Sequence, residues 1–369
     1  MQEDNLETLL VLPPEFPYSQ LREIATLLEE ADIFVPGYIP PEVGLYEVDG
    51  FIHRAWVEGV ETILLPDRNI VSRLAQAAKG ERLNGTDSAQ RKTCAAILAF
   101  AQCLDITIEP SIAFHELAPN QGNTAAHDEL AWFRVADNGK PQEWVDVALG
   151  LADQVRTVGI PVQNSVGPID LAKPLSRWQR NYAVLLKIAK LELTQGLTPV
   201  DRVLALFQWM HSDFIMAGPA AILACVYFAP LNPPRQGLLK SLRSTNREKA
   251  VAGIRNAAWD ITHISDFIKR INEAPIEGNT QFIFTTLDEG LRTIARLVVG
   301  ENPDDSPSEG LASSLKRWWP DKNAMRVADT LHGYLNRNRP SDWWEPYKGW
   351  DYVGELIDQG EREILAYRP

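Results

Sequence analysis

Four acidic side chains, Asp67, Glu116, Asp260 and Asp288, stand in contexts from which carboxylates can be aimed at a common point. Two of them close short apolar runs, VETILLPD and TQFIFTTLD, and each is followed at once by a segment of helical periodicity, NIVSRLAQAAKGE and EGLRTIARLVVG. An acid so placed lies at the carboxyl end of a strand, and open α/β sheets bind their ligands in the crevice outside those ends. The other two acids sit in apolar helical stretches, SIAFHELA and AAWDITHI, where a carboxylate needs a partner and from which it can reach the same crevice. Four carboxylates converging without a cation repel one another and raise some of their pKa values. Divalent ions such as Mg²⁺ or Mn²⁺, which prefer hard oxygen ligands and retain water, are the natural compensation.

Each residue also has a plainer use. A strand-end Asp before a helix is a good N-cap, which applies equally to Asp67 and Asp288. Asp266, one and a half turns beyond Asp260, competes with it for the same role. His115, His127 and His263 raise a rival zinc site, but HELAPNQGNTAAHDE does not match HExxH and fixes no geometry between its two histidines. Walker, Rossmann and GxSxG motifs are absent from the sequence. Cys94, Cys103 and Cys225 are widely spaced in apolar contexts and are expected as buried thiols, not as a disulfide framework or a zinc knuckle.

The elements that must position the acids divide the chain into five stretches. Residues 1–57 form an N-terminal extension, with a helix at SQLREIATLLEEA and short apolar pieces (DIFVPGYI, VGLYEVDGFI) that could be strands or loop packing. Residues 58–120 read as strand, turn, helix, then a second helix with Ser88 as N-cap, then a helix opened by Pro110 or Ser111 that carries Glu116. Residues 121–244 read as a mainly helical insertion. Residues 245–300 return to a long helix with Asp260, a strand ending at Asp288 and a closing helix. In the Trp-rich extension 301–369, ENPDDSPSEG reads as an exposed linker, and the Trp pairs are expected to pack more than to stack bases.

The order strand-Asp-x-Asn, helical Glu, helical Asp, strand-Thr-x-Asp resembles the PIN-domain nucleases. The pieces that carry the resemblance are LLPDRN (Asp67, Asn69), SIAFHELA (Glu116), AAWDITHI (Asp260) and FTTLDEGL (Thr286, Asp288). It implies an α/β fold with a three-layer PIN-like core and a central, mostly parallel sheet, here with a large helical insertion and a helical C-terminal extension. It also implies that Asp67, Glu116, Asp260 and Asp288 are catalytic, metal-ligating carboxylates supported by Asn69 and Thr286. The activity implied is metal-dependent phosphodiester hydrolysis, on RNA in preference to DNA. A pair of Mg²⁺ or Mn²⁺ ions would orient the attacking hydroxide and stabilise the leaving 3′ oxygen. The spacing from Glu116 to Asp260 exceeds that of a compact member, as an inserted subdomain would require.

A nuclease needs local cationic surface. The stretch 234–256 offers Arg235, Lys240, Arg243, Arg247, Lys249 and Arg255 against one acid, with Arg68 a further candidate for nucleic-acid contact. The net charge of −13 argues against coating nucleic acid by bulk electrostatics. The acidic, polar N-terminus and the lack of an uninterrupted apolar run of about 18 residues place the protein in the cytosol and off the membrane. FIMAGPAAILACVYFAP is expected as a buried helix broken near its start. A competing function is a non-catalytic helical interaction protein retaining a degenerate PIN-like core. Homo-oligomerisation or a regulatory partner stays open.

Overall fold

A computed structural model describes residues 11–40, 44–82, 87–156, 159–161, 169–231, 233, 237–275, 278–300, 306–340, 342–343, 345 and 351–368. The chain is α/β, mostly helical, with a small mixed sheet. In chain order the elements are α1 (Tyr18–Ala31), β1 (Phe34–Pro36), α2 (Val48–Trp56), β2 (Glu61–Pro66), α3 (Arg68–Ala78), α4 (Ser88–Cys103), β3 (Thr107–Ile108), α5 (Ser111–Gln121), α6 (Asn123–Asp137) and α7 (Pro141–Ala148). There follow α8 (Ser176–Leu193), α9 (Pro199–Ser212), α10 (Gly218–Tyr227), α11 (Arg247–Glu273), β4 (Thr280–Thr285), α12 (Glu289–Val299), α13 (Pro307–Leu315), α14 (Asp321–Leu335) and α15 (Tyr352–Ala366).

The strand order is β1-β4-β2-β3. β2 runs parallel to both β3 and β4, and β1 is the antiparallel edge. Successive side chains of a strand point to opposite faces. Leu64, Ile283 and Phe34 therefore join one apolar cluster with α1 to α7, while Leu65, Phe284 and Val35 join another with α8 to α15. Burying each such side chain contributes about 2 kcal/mol, which fixes the register, since a slip of one residue would exchange the two faces.

Several expectations are corrected. The N-terminal extension contributes to the sheet, because Phe34–Pro36 pairs with Thr285–Ile283 as an edge strand. Much of VGLYEVDGFI is the helix α2. The stretch 121–244 is not one insertion. α6 and α7 pack on α3 and α4 on one side of the sheet, while α8, α9 and α10 pack with α11, α14 and α15 on the other. Asp87, not Ser88, precedes α4. Within ENPDDSPSEG, residues 301–305 lie outside the described residues, and Ser306 caps α13, whose Pro307 suits a first helical turn.

Other expectations hold. Cys94 and Cys225 are buried, Cys103 is partly so, and all three are free thiols. α10 is buried and opens with Gly218 and Pro219. Trp319 is buried and its Nε1 donates to the Cys225 carbonyl at 2.8 Å. Trp344 and Trp350 lie outside the described residues. Among the described residues, no helix is long and apolar enough to cross a membrane.

Candidate functional site

β2 and β4 are parallel neighbours, yet the helices that follow them diverge. α3 buries Ile70, Val71 and Leu74 in the first cluster, and α12 buries Leu291, Ile294 and Ala295 in the second. The chain leaves the two strand ends toward opposite faces, the geometry that opens a ligand crevice in α/β sheets. Asp67 and Asp288 stand at its edges.

Asp67 is 4% exposed, and its N–H donates to the Thr285 carbonyl at 3.0 Å, extending the ladder one residue past β2. Its Oδ1 accepts the Ile70 N–H at 3.0 Å, and its Oδ2 accepts the Thr286 hydroxyl at 2.5 Å. The fully buried Thr286 Oγ1 also accepts the Asp288 N–H at 3.0 Å, and Arg292 donates to the Thr286 carbonyl at 3.0 Å. Asp288 Oδ1 then accepts the Leu291 N–H at 3.0 Å. One threonine thus ties the two strand-end aspartates together. Both cap their helices through Oδ1; the second oxygen of Asp67 is taken by the Thr286 hydroxyl.

α11 and α5 bring the remaining acids. Glu116 Oε2 lies 3.1 Å from Nε2 of the buried His263, which follows Asp260 by three residues on the same face of α11. Asp260 is half-buried. Its carboxyl is held well above the usual range by burial and then by the charges of Glu116, Asp288 and Asp67, against which Lys240 pulls it down. Burial likewise raises Asp67, opposed first by the Thr286 hydrogen bond and then by His263. The four acids therefore share one electrostatic neighbourhood. The competing Asp266 is otherwise engaged, pairing with Arg177 at 2.6 Å and Arg270 at 2.7 Å. Asn69 is exposed on the first turn of α3, and its carbonyl accepts from Arg73 at 3.1 Å.

His263 was discounted in the sequence as part of a rival zinc reading, although AAWDITHI carries its signal in the three-residue spacing from Asp260. The other two histidines tether backbone: His115 Nδ1 lies 3.0 Å from the Leu171 carbonyl and His127 Nε2 2.9 Å from that of Ile169.

The donor set is carboxylate oxygen and suits Mg²⁺ or Mn²⁺ in kind. Its spacing is wider than a closed ligand sphere, since among the described residues no three His, Cys, Asp or Glu side chains are grouped tightly enough to hold an ion. Mg²⁺ commonly takes one or two protein carboxylates and keeps several waters, which is compatible with acids placed around a crevice.

The expected basic surface is largely spent on the protein itself. Arg68 forms a two-pronged pair with Glu129. Arg243 pairs with Glu192 at 2.6 Å, and Arg255 with Glu361 at 2.6 Å. Arg247 is buried, donating to the carbonyls of Leu242, Ser244 and Ile364. Buried polar groups are hydrogen-bonded to the protein, so Arg247 is a structural brace and is withdrawn as a phosphate contact. Arg235 lies outside the described residues, while Lys240 and Lys249 are exposed. No family model, curated protein or solved structure matches this chain.

Proposed function

We propose that the protein is a metal-dependent phosphodiester hydrolase of PIN-like type, with a three-layer core, acting on RNA and residing in the cytosol. The observation that supports this reading is the link through Thr286 between Asp67 and Asp288, which follow β2 and β4, with Asp260 close enough to feel the charges of Glu116, Asp288 and Asp67. Asp67, Asp288, Asp260 and Glu116 are the residues that would hold Mg²⁺ or Mn²⁺, which when bound supplies charge neutralisation for in-line displacement at phosphorus. Thr286 fixes the rotamer of Asp67. His263 orients Glu116. The RNA preference rests on the family resemblance.

A non-catalytic interaction protein is the second reading, favoured by the open spacing of the acids. Thermal unfolding with Mn²⁺ separates the two. At a hundred times its Kd, a bound ion adds about 2.7 kcal/mol, or about 3 to 4 °C for a chain of this length. That shift is expected in wild type and lost in Asp67→Asn. Equal responses of the two proteins would end the hydrolase reading. Labelled single-stranded RNA, structured RNA and DNA then identify the substrate, and cleavage unchanged by Asp288→Asn would mark a contaminant.

A further inference from the structure

The turn of residues 237–244, between α10 and α11, is fastened to α11 and approaches Asp288 at the start of α12. Leu238, Leu239 and Leu242 are buried beneath it. Ser241 takes a left-handed φ of 60°, and the Ser244 N–H closes back on its carbonyl at 2.9 Å. Arg247 Nη1 then holds the carbonyls of Leu242 and Ser244, each at 2.8 Å.

Two glycines set how closely this turn approaches the acids. A Cβ at Gly253 of α11 would fall 1.9 Å from the Lys240 carbonyl oxygen, so only glycine lets the turn lie directly on the helix there. Gly253 precedes Asp260 by seven residues, two helical turns along one stripe. At the turn's other end Gly237 has φ +97°, and a Cβ on it would lie 3.6 Å from Asp288 Oδ2 and 3.9 Å from Lys240 Cε. The Lys240 stem and the Asp288 carboxylate thus flank the same glycine. Lys240 is exposed and, among the described residues, has no hydrogen-bond or ion-pair partner. Its neighbours Arg243, Arg247 and Arg255 are committed to protein groups.

We infer that Lys240 receives a substrate phosphate beside the carboxylates, and that the glycine-seated turn exists to present it there. The inference rests on the hydrolase reading above and names the contact through which that site takes a phosphodiester. The ammonium on its four-carbon stem is a point charge with three donors. Because the backbone beneath it is already fixed, little ordering is left to be done on binding.

The test is equilibrium binding of a fluorescein-labelled single-stranded RNA oligonucleotide by the full chain, with Ca²⁺ replacing Mn²⁺ to slow cleavage, over a range of salt. Lys240→Ala is expected to weaken binding about ten-fold and to lower the slope of log K against log salt by about one. Lys240→Arg restores most of the affinity. Gly253→Ala, which must push the Lys240 backbone off the helix while keeping the lysine side chain, weakens binding by a similar factor. The Mn²⁺ thermal shift, measured alongside, persists in Lys240→Ala. Wild-type affinity and salt slope in Lys240→Ala with that shift intact would overturn the role of Lys240 and leave the acid site standing. A wild-type protein with no Mn²⁺ shift would bring down both.

Discussion

Thr286→Val keeps the shape and burial of a side chain that is fully enclosed, and removes only its hydroxyl. That hydroxyl donates to Asp67 Oδ2 at 2.5 Å and accepts from the Asp288 N–H at 3.0 Å, so the valine leaves one buried carboxylate oxygen and one backbone donor without their partner. An unmet charged acceptor costs about 1.5 to 3 kcal/mol and an unmet amide about 1 kcal/mol or more. The sum is about 3 kcal/mol, and at about 2.1 cal/mol/K per residue it lowers Tm by about 4 °C. The pH dependence carries a sign. The Thr286 hydrogen bond lowers the Asp67 pKa against the larger effect of burial, so its loss lifts that pKa further. A carboxyl with a raised native pKa stabilises the fold at low pH and loses that contribution as pH climbs through the native value. The deficit of Thr286→Val should therefore grow from acid to neutral pH. Urea unfolding of wild type, Thr286→Val and Thr286→Ser at both ends of that range measures it, with the serine variant retaining most of the hydrogen bonding. A valine variant as stable as wild type, or a deficit independent of pH, would refute the bridging role of Thr286.

Asp260→Asn removes a carboxyl that burial and three neighbouring acids hold well above its usual range. The metal-free wild type should lose stability as pH rises through that raised value, and the variant should show a flatter profile and a higher Tm at neutral pH in thermal melts. Asp266→Asn breaks the pairs with Arg177 and Arg270, whose partial exposure limits the loss to about 1 kcal/mol, and should leave the Mn²⁺ response intact. If instead Asp266→Asn abolishes that response and Asp260→Asn preserves it in calorimetric titration, the third acid has been misassigned.

The strand-end aspartates were legible because their local pattern is complete: apolar run, acid, helical period. Of the two uses open to each, cap and ligand, the structure shows the cap, through Oδ1 of both residues. Thr286 entered only through the family resemblance, as the threonine of FTTLDEGL. The edge strand β1 was not, because three residues, FVP, carry too short a period to be told from loop packing. The basic run misled for a physical reason. Sequence shows charge but not the acids brought to it, and Glu192 and Glu361 lie 51 and 106 residues from the arginines they neutralise. His263 carries its signal only in its three-residue spacing from Asp260, which is common in any helix.

Where the acids sit also explains why the fold can hold them. β2 and β4 are covered on both faces by separate apolar clusters, which hold the strand ends. The destabilisation of crowding Asp67 and Asp260 into low dielectric is carried by that frame, not by the site. On the hydrolase reading, a cation binding here would be rewarded twice, by its own ligation and by relief of the repulsion that Asp260 feels. The four acids are held unequally: Asp67 is locked by Thr286, Asp288 caps its own helix, Glu116 lies beside His263, and Asp260 is left without a hydrogen-bond partner among the described residues. Asp260 is accordingly the carboxylate whose protonation state should change most when a cation binds, and proton release on Mn²⁺ addition, measured by titration in weakly buffered solution, should fall in Asp260→Asn more than in Glu116→Gln.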